Sequence, residues 1–163
     1  MAIITLNNNS LSGVTALPAG VGGKVLQVVS ISSQTVTTTT STSFVNSSLQ
    51  AVITPSSTSS KILINITSGL LAPSAGTYAA RYTIFRGDVT GTNLGNSSTG
   101  FLNMFDNGGS GIACFGGASY LDAPNTVSAT TYTFALRSEG NNQGAVVNAS
   151  NSRGTITLME IAG

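Results

Sequence analysis

The stretch Lys61-Ile-Leu-Ile-Asn-Ile-Thr67 decides the fold class. Ile62, Ile64 and Ile66 recur at every second position, so on an extended chain they share one face. Their branched β-carbons pack well on a pleated surface and favour strand over helix. The same period recurs on both sides. Tyr78, Ala80, Tyr82 and Ile84 share a face with Arg81 opposite, and Tyr132, Phe134 and Leu136 alternate with Thr131, Thr133, Ala135 and Arg137. Lys24–Ile31 is apolar on both faces, as a strand buried on both sides or in an oligomer would be. Gln34–Thr40 reads as a solvated Thr-rich strand, and Phe44-Val45 with Leu49–Ile53 gives another, stopped by Pro55 and the turn Ser56–Ser60. Phe101–Phe105, Ile112–Tyr120, Ala145–Asn148 and Thr155–Ile161 complete the set. Gly and Pro punctuate the chain every ten residues or so, and no helical period appears. An all-β chain of roughly eight to ten short antiparallel strands is expected, as a β-sandwich most simply arranged as a jelly roll. Residues 24–163 form that domain, and the Asn-, Gly- and Pro-bearing residues 1–23 form an extended arm before it.

Composition narrows what such a domain can do. Only 7% of the 163 residues are charged, against about a quarter in an ordinary domain. Abundant β-branched residues argue against disorder. The polar remainder is mostly Ser, Thr, Asn and Gly, short side chains that lose little entropy when held in a sheet or an interface. With a net charge of +1, and with Lys24, Lys61, Arg81, Arg86, Arg137 and Arg153 scattered singly, no basic patch for nucleic acid is expected. A near-neutral monomer has little colloidal protection, which favours a chain fixed in an assembly.

Covalent chemistry is poorly supplied. The chain has no histidine and a single cysteine, Cys114, whose apolar neighbours Gly111-Ile-Ala-Cys-Phe115 suggest a small buried hydrophobe. Nucleophile triads and most zinc sites are thereby excluded. The five carboxylates, Asp88, Asp106, Asp122, Glu139 and Glu160, fall in no recognisable acid–base motif. Asp106-Asn-Gly-Gly-Ser-Gly111 lacks both the repeated acidic ligands of a calcium loop and the Lys of a phosphate loop, and reads as a tight turn. The expectation is a protein that is not an enzyme and holds no cofactor and no metal. The triplets of the type Asn65-Ile-Thr67 are what chance yields in such a composition. Tyr78, Tyr82, Tyr120 and Tyr132 could form a sugar-binding platform, but alternating strand positions favour packing. The start Met-Ala-Ile-Ile-Thr-Leu lacks the basic and long apolar regions of a signal peptide, and no window has the apolar length of a membrane helix.

Several blocks resemble short structural proteins of marine and cyanobacterial tailed phages. They are Leu6-Asn-Asn-Asn-Ser-Leu-Ser-Gly-Val-Thr-Ala-Leu-Pro-Ala19, Gly23-Lys-Val-Leu-Gln-Val-Val-Ser30, Ile53–Ile64, Tyr120–Tyr132 and Thr155–Ala162. The resemblance implies a capsid decoration (cement or head-fibre) protein or a tail-fibre piece, jelly-roll-like and often trimeric, on the surface of a virion. The first expectation is a decoration protein whose arm docks on the major capsid protein or another virion protein through Ile3, Ile4, Leu6, Leu11, Val14 and Leu17. The alternative is a short tail fibre or receptor-binding module that recognises host surface glycans. A homotrimer is expected in either case, with no membrane partner.

Overall fold

The computed structural model describes residues 24–74, 79–105, 112–140 and 144–163. Among these residues there is no helix, hence none long and apolar enough to cross a membrane. Eleven strand segments form two antiparallel sheets: β1 (Val25–Ser33), β2 (Thr37–Thr39), β3 (Val45–Ile53), β4 (Lys61–Ser74), β5 (Ala79–Arg86), β6 (Thr92–Asn93), β7 (Leu102–Phe105), β8 (Cys114–Asp122), β9 (Thr130–Ser138), β10 (Gly144–Ala149) and β11 (Gly154–Ile161). The first sheet holds β1, β11, β4, β10, β2 and β8; the second holds β3, β9, β5, β6 and β7.

With the two-residue β6 set aside, the pairings reduce these segments to eight strands. β10 and β11 both run antiparallel to β4, β10 along its Leu70–Ser74 end and β11 along Lys61–Thr67. They are one strand broken by an excursion of the chain between Ala149 and Gly154. β1 pairs with β11 and β2 with β10, so these two form a second broken strand beside the first. Pairing is then nested: β1/β2 with β10/β11, β3 with β9, β4 with β8, and β5 with β7. First strand with last, second with second-last, and so inward is the double Greek-key winding of a jelly roll. The expected architecture is therefore the observed one.

The core lies between the sheets and is built from the alternating positions. Ile62, Ile64, Ile66, Ile156 and Leu158 come from the first sheet, and Ile84, Tyr82, Tyr132, Phe134 and Leu136 from the second, all buried. Each fully buried aliphatic or aromatic side chain of this kind contributes about 1.5–3 kcal/mol. Tyr82 and Phe134 stack with ring centroids 5.9 Å apart. The Tyr82 hydroxyl crosses the sandwich and donates to the Val146 carbonyl at 3.0 Å, and burial pushes its pKa upward.

Two further polar links join the layers. Tyr132 donates to the buried Asp122 carboxylate at 2.7 Å, and Arg86 Nε lies 3.6 Å from the same oxygen. Burial, and then the Asp122 acceptor, raise the Tyr132 pKa. Glu160 occupies the inward face of β11 in series with Ile156 and Leu158 and is itself fully buried. It accepts from Ser56 N at 2.7 Å, Ser56 Oγ at 2.6 Å and Gln27 Nε2 at 2.7 Å, tying the β3–β4 turn to β1 and β11.

One sequence expectation fails. Cys114 is exposed, not buried. It begins β8, which among the described residues pairs with β4 and forms one edge of the first sheet, with no described strand on its other side. Its thiol lies 4.0 Å from the Met104 sulfur.

Candidate functional site

The outer faces of the two sheets differ. On the second sheet, β5 and β9 present the cross-strand pairs Arg81–Arg137, Thr83–Ala135 and Phe85–Thr133 outward. Thr83, Ala135, Thr133 and Phe85 are nevertheless buried, because the chain between β5 and β7 folds back over them. That cover is anchored at several points. Leu94 N donates to Ile84 O at 2.9 Å, Thr83 Oγ1 meets Asn93 Oδ1 at 2.7 Å, and Val89 N reaches across to Asn46 Oδ1 of β3 at 3.0 Å. Gly100 makes the return possible. It has φ +68°, and a side chain there would collide with the Tyr82 carbonyl.

Beside this cover opens a pocket of about 490 Å³ lined by Phe44, Phe85, Val89, Arg137 and the hydroxyl residues Thr42, Ser43, Ser97 and Ser98. Phe44 and Phe85 meet edge to face at 5.8 Å, and the Arg137 guanidinium stacks 5.3 Å from the Phe44 ring centre. Arg81 and Arg137 are directly opposed on neighbouring strands. Their mutual repulsion is offset by the Glu139 carboxylate, which pairs with Arg81 and lies 4.0 Å from Arg137. Both guanidinium groups also donate to the Ser98 carbonyl, and Arg137 Nη1 donates to Thr42 O at 2.9 Å. Arg137 is thus spent on holding two loops together. The rest of the pocket wall is the Phe44 ring edge, Phe85, Val89 and the hydroxyl groups of Thr42, Ser43, Ser97 and Ser98.

Among the described residues the first sheet has no such cover. Val25 and Val28 of β1 and Phe115 and Leu121 of β8 are exposed on its outer side, while Ile31 and Tyr120, opposite the buried Ile156 and Ile64, are exposed at the edges of its inner side. Among the described residues β1 and β8 are its two long edges, each paired with one neighbour. Long apolar edges are templates for pairing with another chain.

The arm residues Ile3, Ile4, Leu6, Leu11, Val14 and Leu17 lie outside the described residues, as do Asp106 and Tyr78. The strand that follows the arm, β1, is an edge of the uncovered sheet, and Lys24 O before it accepts from Ala162 N at 2.9 Å. The three described tyrosines do not form a platform. Tyr82 and Tyr132 are in the core, as their alternation suggested, and Tyr120 packs its ring against Phe101 at 5.6 Å. The four described carboxylates are held apart in separate settings: Asp88 by Thr90, Asp122 by Tyr132 and Arg86, Glu139 by the arginines and Glu160 by Ser56 and Gln27. No group of three or more metal-ligating side chains occurs among the described residues. The Phe44–Phe85–Arg137 pocket escaped the sequence, because its parts are brought together by strand register and a returning loop. The opposed arginines at alternating strand positions were its one visible trace.

No protein-family profile matches the chain, and no curated protein matches it. Among solved structures, the crystal structure of the infectious bursal disease virus VP2 subviral particle is similar to it, with a TM-score of 0.39 and 10% sequence identity. The match covers 83% of this chain, which spans 39% of that one.

Proposed function

We propose that this protein is a structural component of a phage virion surface, and specifically a capsid decoration protein anchored through residues 1–23. It works by binding and covering, with no covalent chemistry. The observation that carries this reading is the contrast between the sheets. One outer face is largely covered over β5 and β9 by the protein's own chain, while the other is left uncovered by the described residues, nearly uncharged, and edged by two strands paired on one side. A small domain that exposes such a face is built to be covered by another protein. The composition and the resemblance to tailed-phage structural proteins supply the setting, and a homotrimer is the proposed assembly.

Deleting residues 1–20 is expected to abolish co-sedimentation with purified phage heads while leaving the far-UV CD spectrum of the β-domain unchanged. A truncated protein that still decorates heads would refute the anchoring role. Immunogold or cryo-EM localisation to the tail would move the protein to the second reading.

That second reading, a receptor-binding module for host surface glycans, is favoured by the pocket around Phe44. It predicts that the purified protein adsorbs to host cells and competes with infection. Phe44→Ala, which removes the apolar floor, should weaken adsorption about tenfold, the effect of losing roughly 1.4 kcal/mol of contact. Adsorption unaffected by Phe44→Ala would dismiss the pocket as the glycan site.

A further inference from the structure

We infer that the uncovered outer face of the first sheet is where copies of this chain pack against one another. The inference rests on the proposed oligomer and names the surface that forms it. The register of the four long strands places Val28, Met159, Leu63 and Leu121 side by side in one unbroken row across β1, β11, β4 and β8. All four point outward, since their sequence neighbours Ile62, Ile64, Leu158 and Glu160 are buried inside the sandwich. Val28 is 56% exposed and Leu121 48%. Beyond Val28, Val25 and Ile161 pair at the end of the same face and extend the apolar area.

The next two rows are of a different kind. Ser30, Thr157, Asn65 and Ser119 align across the sheet, followed by Ser32, Thr155, Thr67 and Gly117. Hydroxyl and amide groups both donate and accept, so an identical row can satisfy them, as Ser30 and Thr157 already do at 2.9 Å within one chain. None of these three rows contains a charged residue. The charges at this face, Lys61 beside Ile161 and Arg153 beside Ser32, stand at its margins. Identical faces can therefore meet without opposing like charges at the centre. A face that bound a differently charged partner would be expected to carry the complementary charge there.

The size fits as well. Nine-residue strands are about 30 Å long and four of them about 19 Å wide. The resulting ~570 Å² of flat area, increased by side-chain relief, is of the order of the ~800 Å² that each partner buries in a stable interface. In the proposed trimer, each copy turns this sheet toward the common axis.

Analytical ultracentrifugation of the full chain at micromolar concentration tests the assignment. Wild type is expected to sediment as an oligomer, and Val28→Glu/Leu121→Glu as a monomer with unchanged far-UV CD. Val52→Glu, on an equally exposed position of the second sheet, should remain oligomeric. A second measurement does not depend on the charged variant folding. In a Cys114→Ser background, Ser30→Cys should be cross-linked into oligomers by a short bis-maleimide, and Thr90→Cys should not. A monomeric wild type would overturn both the oligomer and this interface. An oligomer that survives the double substitution and shows no Ser30→Cys cross-link would overturn the interface alone.

Discussion

Asn148→Ala is expected to destabilise the domain by about 3–5 kcal/mol, a large part of the 5–15 kcal/mol that a domain of this size usually has. Asn148 is fully buried at the level where both broken strands of the first sheet are interrupted. Its Nδ2 donates to the Ser33 and Thr35 carbonyls, each at 3.2 Å, and its Oδ1 accepts from Gly69 N at 3.3 Å. Ser33 ends β1, Thr35 lies in the gap before β2, and Gly69 sits where the register of β4 slips against β8. One amide thus serves three interrupted strands, and alanine would take the partner from the Gly69 amide and the Ser33 carbonyl at about 1–3 kcal/mol apiece, while the Thr35 carbonyl still accepts from Ser48 Oγ at 2.9 Å. Asn148 also has φ +59°, where asparagine is tolerated better than alanine. Asn151 shares that conformation, with φ +54°, but is exposed. Asn151→Ala should therefore cost only the conformational part, about 1 kcal/mol. Urea unfolding midpoints compare the two, and equal losses would show that the amide network contributes nothing. Asn148→Asp should rescue little, because a carboxylate would face two carbonyls with no proton to donate.

The neighbourhood of Asn148 is tightly fitted. A β-carbon on Gly154 would stand 2.6 Å from its Oδ1, and one on Gly69 would stand 2.4 Å from Ser152 Oγ. Ser152 Oγ accepts from Leu70 N at 2.6 Å, while Ser68 exchanges hydrogen bonds with the backbone of Gly116. Short polar side chains are what allow three strands to break at one level without stranding their amides. The abundance of Ser, Asn and Gly, which suggested only an uncharged surface, has this second use inside the sheet.

Period-two alternation identified the inward-facing set correctly at Ile62, Ile64 and Ile66, at Ala80, Tyr82 and Ile84, and at Tyr132, Phe134 and Leu136. Alternation reports which side chains share a face because that depends only on local backbone geometry. It does not report what covers the opposite face. Thr133 and Ala135 look like Ser30 and Thr157 in sequence, yet the former are sealed under the β5–β7 connection and the latter are not. Long-range register is equally silent in the sequence. Arg81 and Arg137 are 56 residues apart along the chain and adjacent in space, so a reading of single residues sees scattered charges where the fold makes a cluster. Cys114 failed for the same reason, since only the strand order reveals that its strand is an edge. The two-faced apolar pattern of β1 was legible, but its place as an exposed edge strand was not, because that depends on strand order.

Acid should weaken the domain through Glu160 across a defined pH window. Burial alone would push this carboxyl above its ordinary value near 4.5, but hydrogen bonds from Ser56, Ser60 and Gln27 outweigh it and hold the pKa at about 2. Ser56 and Gln27 make the bonds of ordinary geometry, while the buried Ser60 hydroxyl lies outside it and acts by proximity. Between pH 2 and 4.5 the unfolded chain therefore takes up a proton that the folded one does not. Stability from this group is complete above 4.5 and is lost as the pH falls toward 2. The Glu160→Gln variant lacks the titration and replaces one acceptor oxygen by a donor that faces other donors. It should be destabilised by about 2–4 kcal/mol at neutral pH and should lose less on acidification than the wild type. Asp88, lowered by its Thr90 hydrogen bonds, titrates in both proteins and cancels from the comparison. Urea midpoints measured from pH 6 down to the acid limit should thus converge for the two proteins, with the wild type falling faster. Parallel lines would mean that the Glu160 carboxylate is not held down by the β3–β4 turn. They would also remove the electrostatic link between that turn and the paired strands β1 and β11 on whose outer face the oligomer is proposed to form.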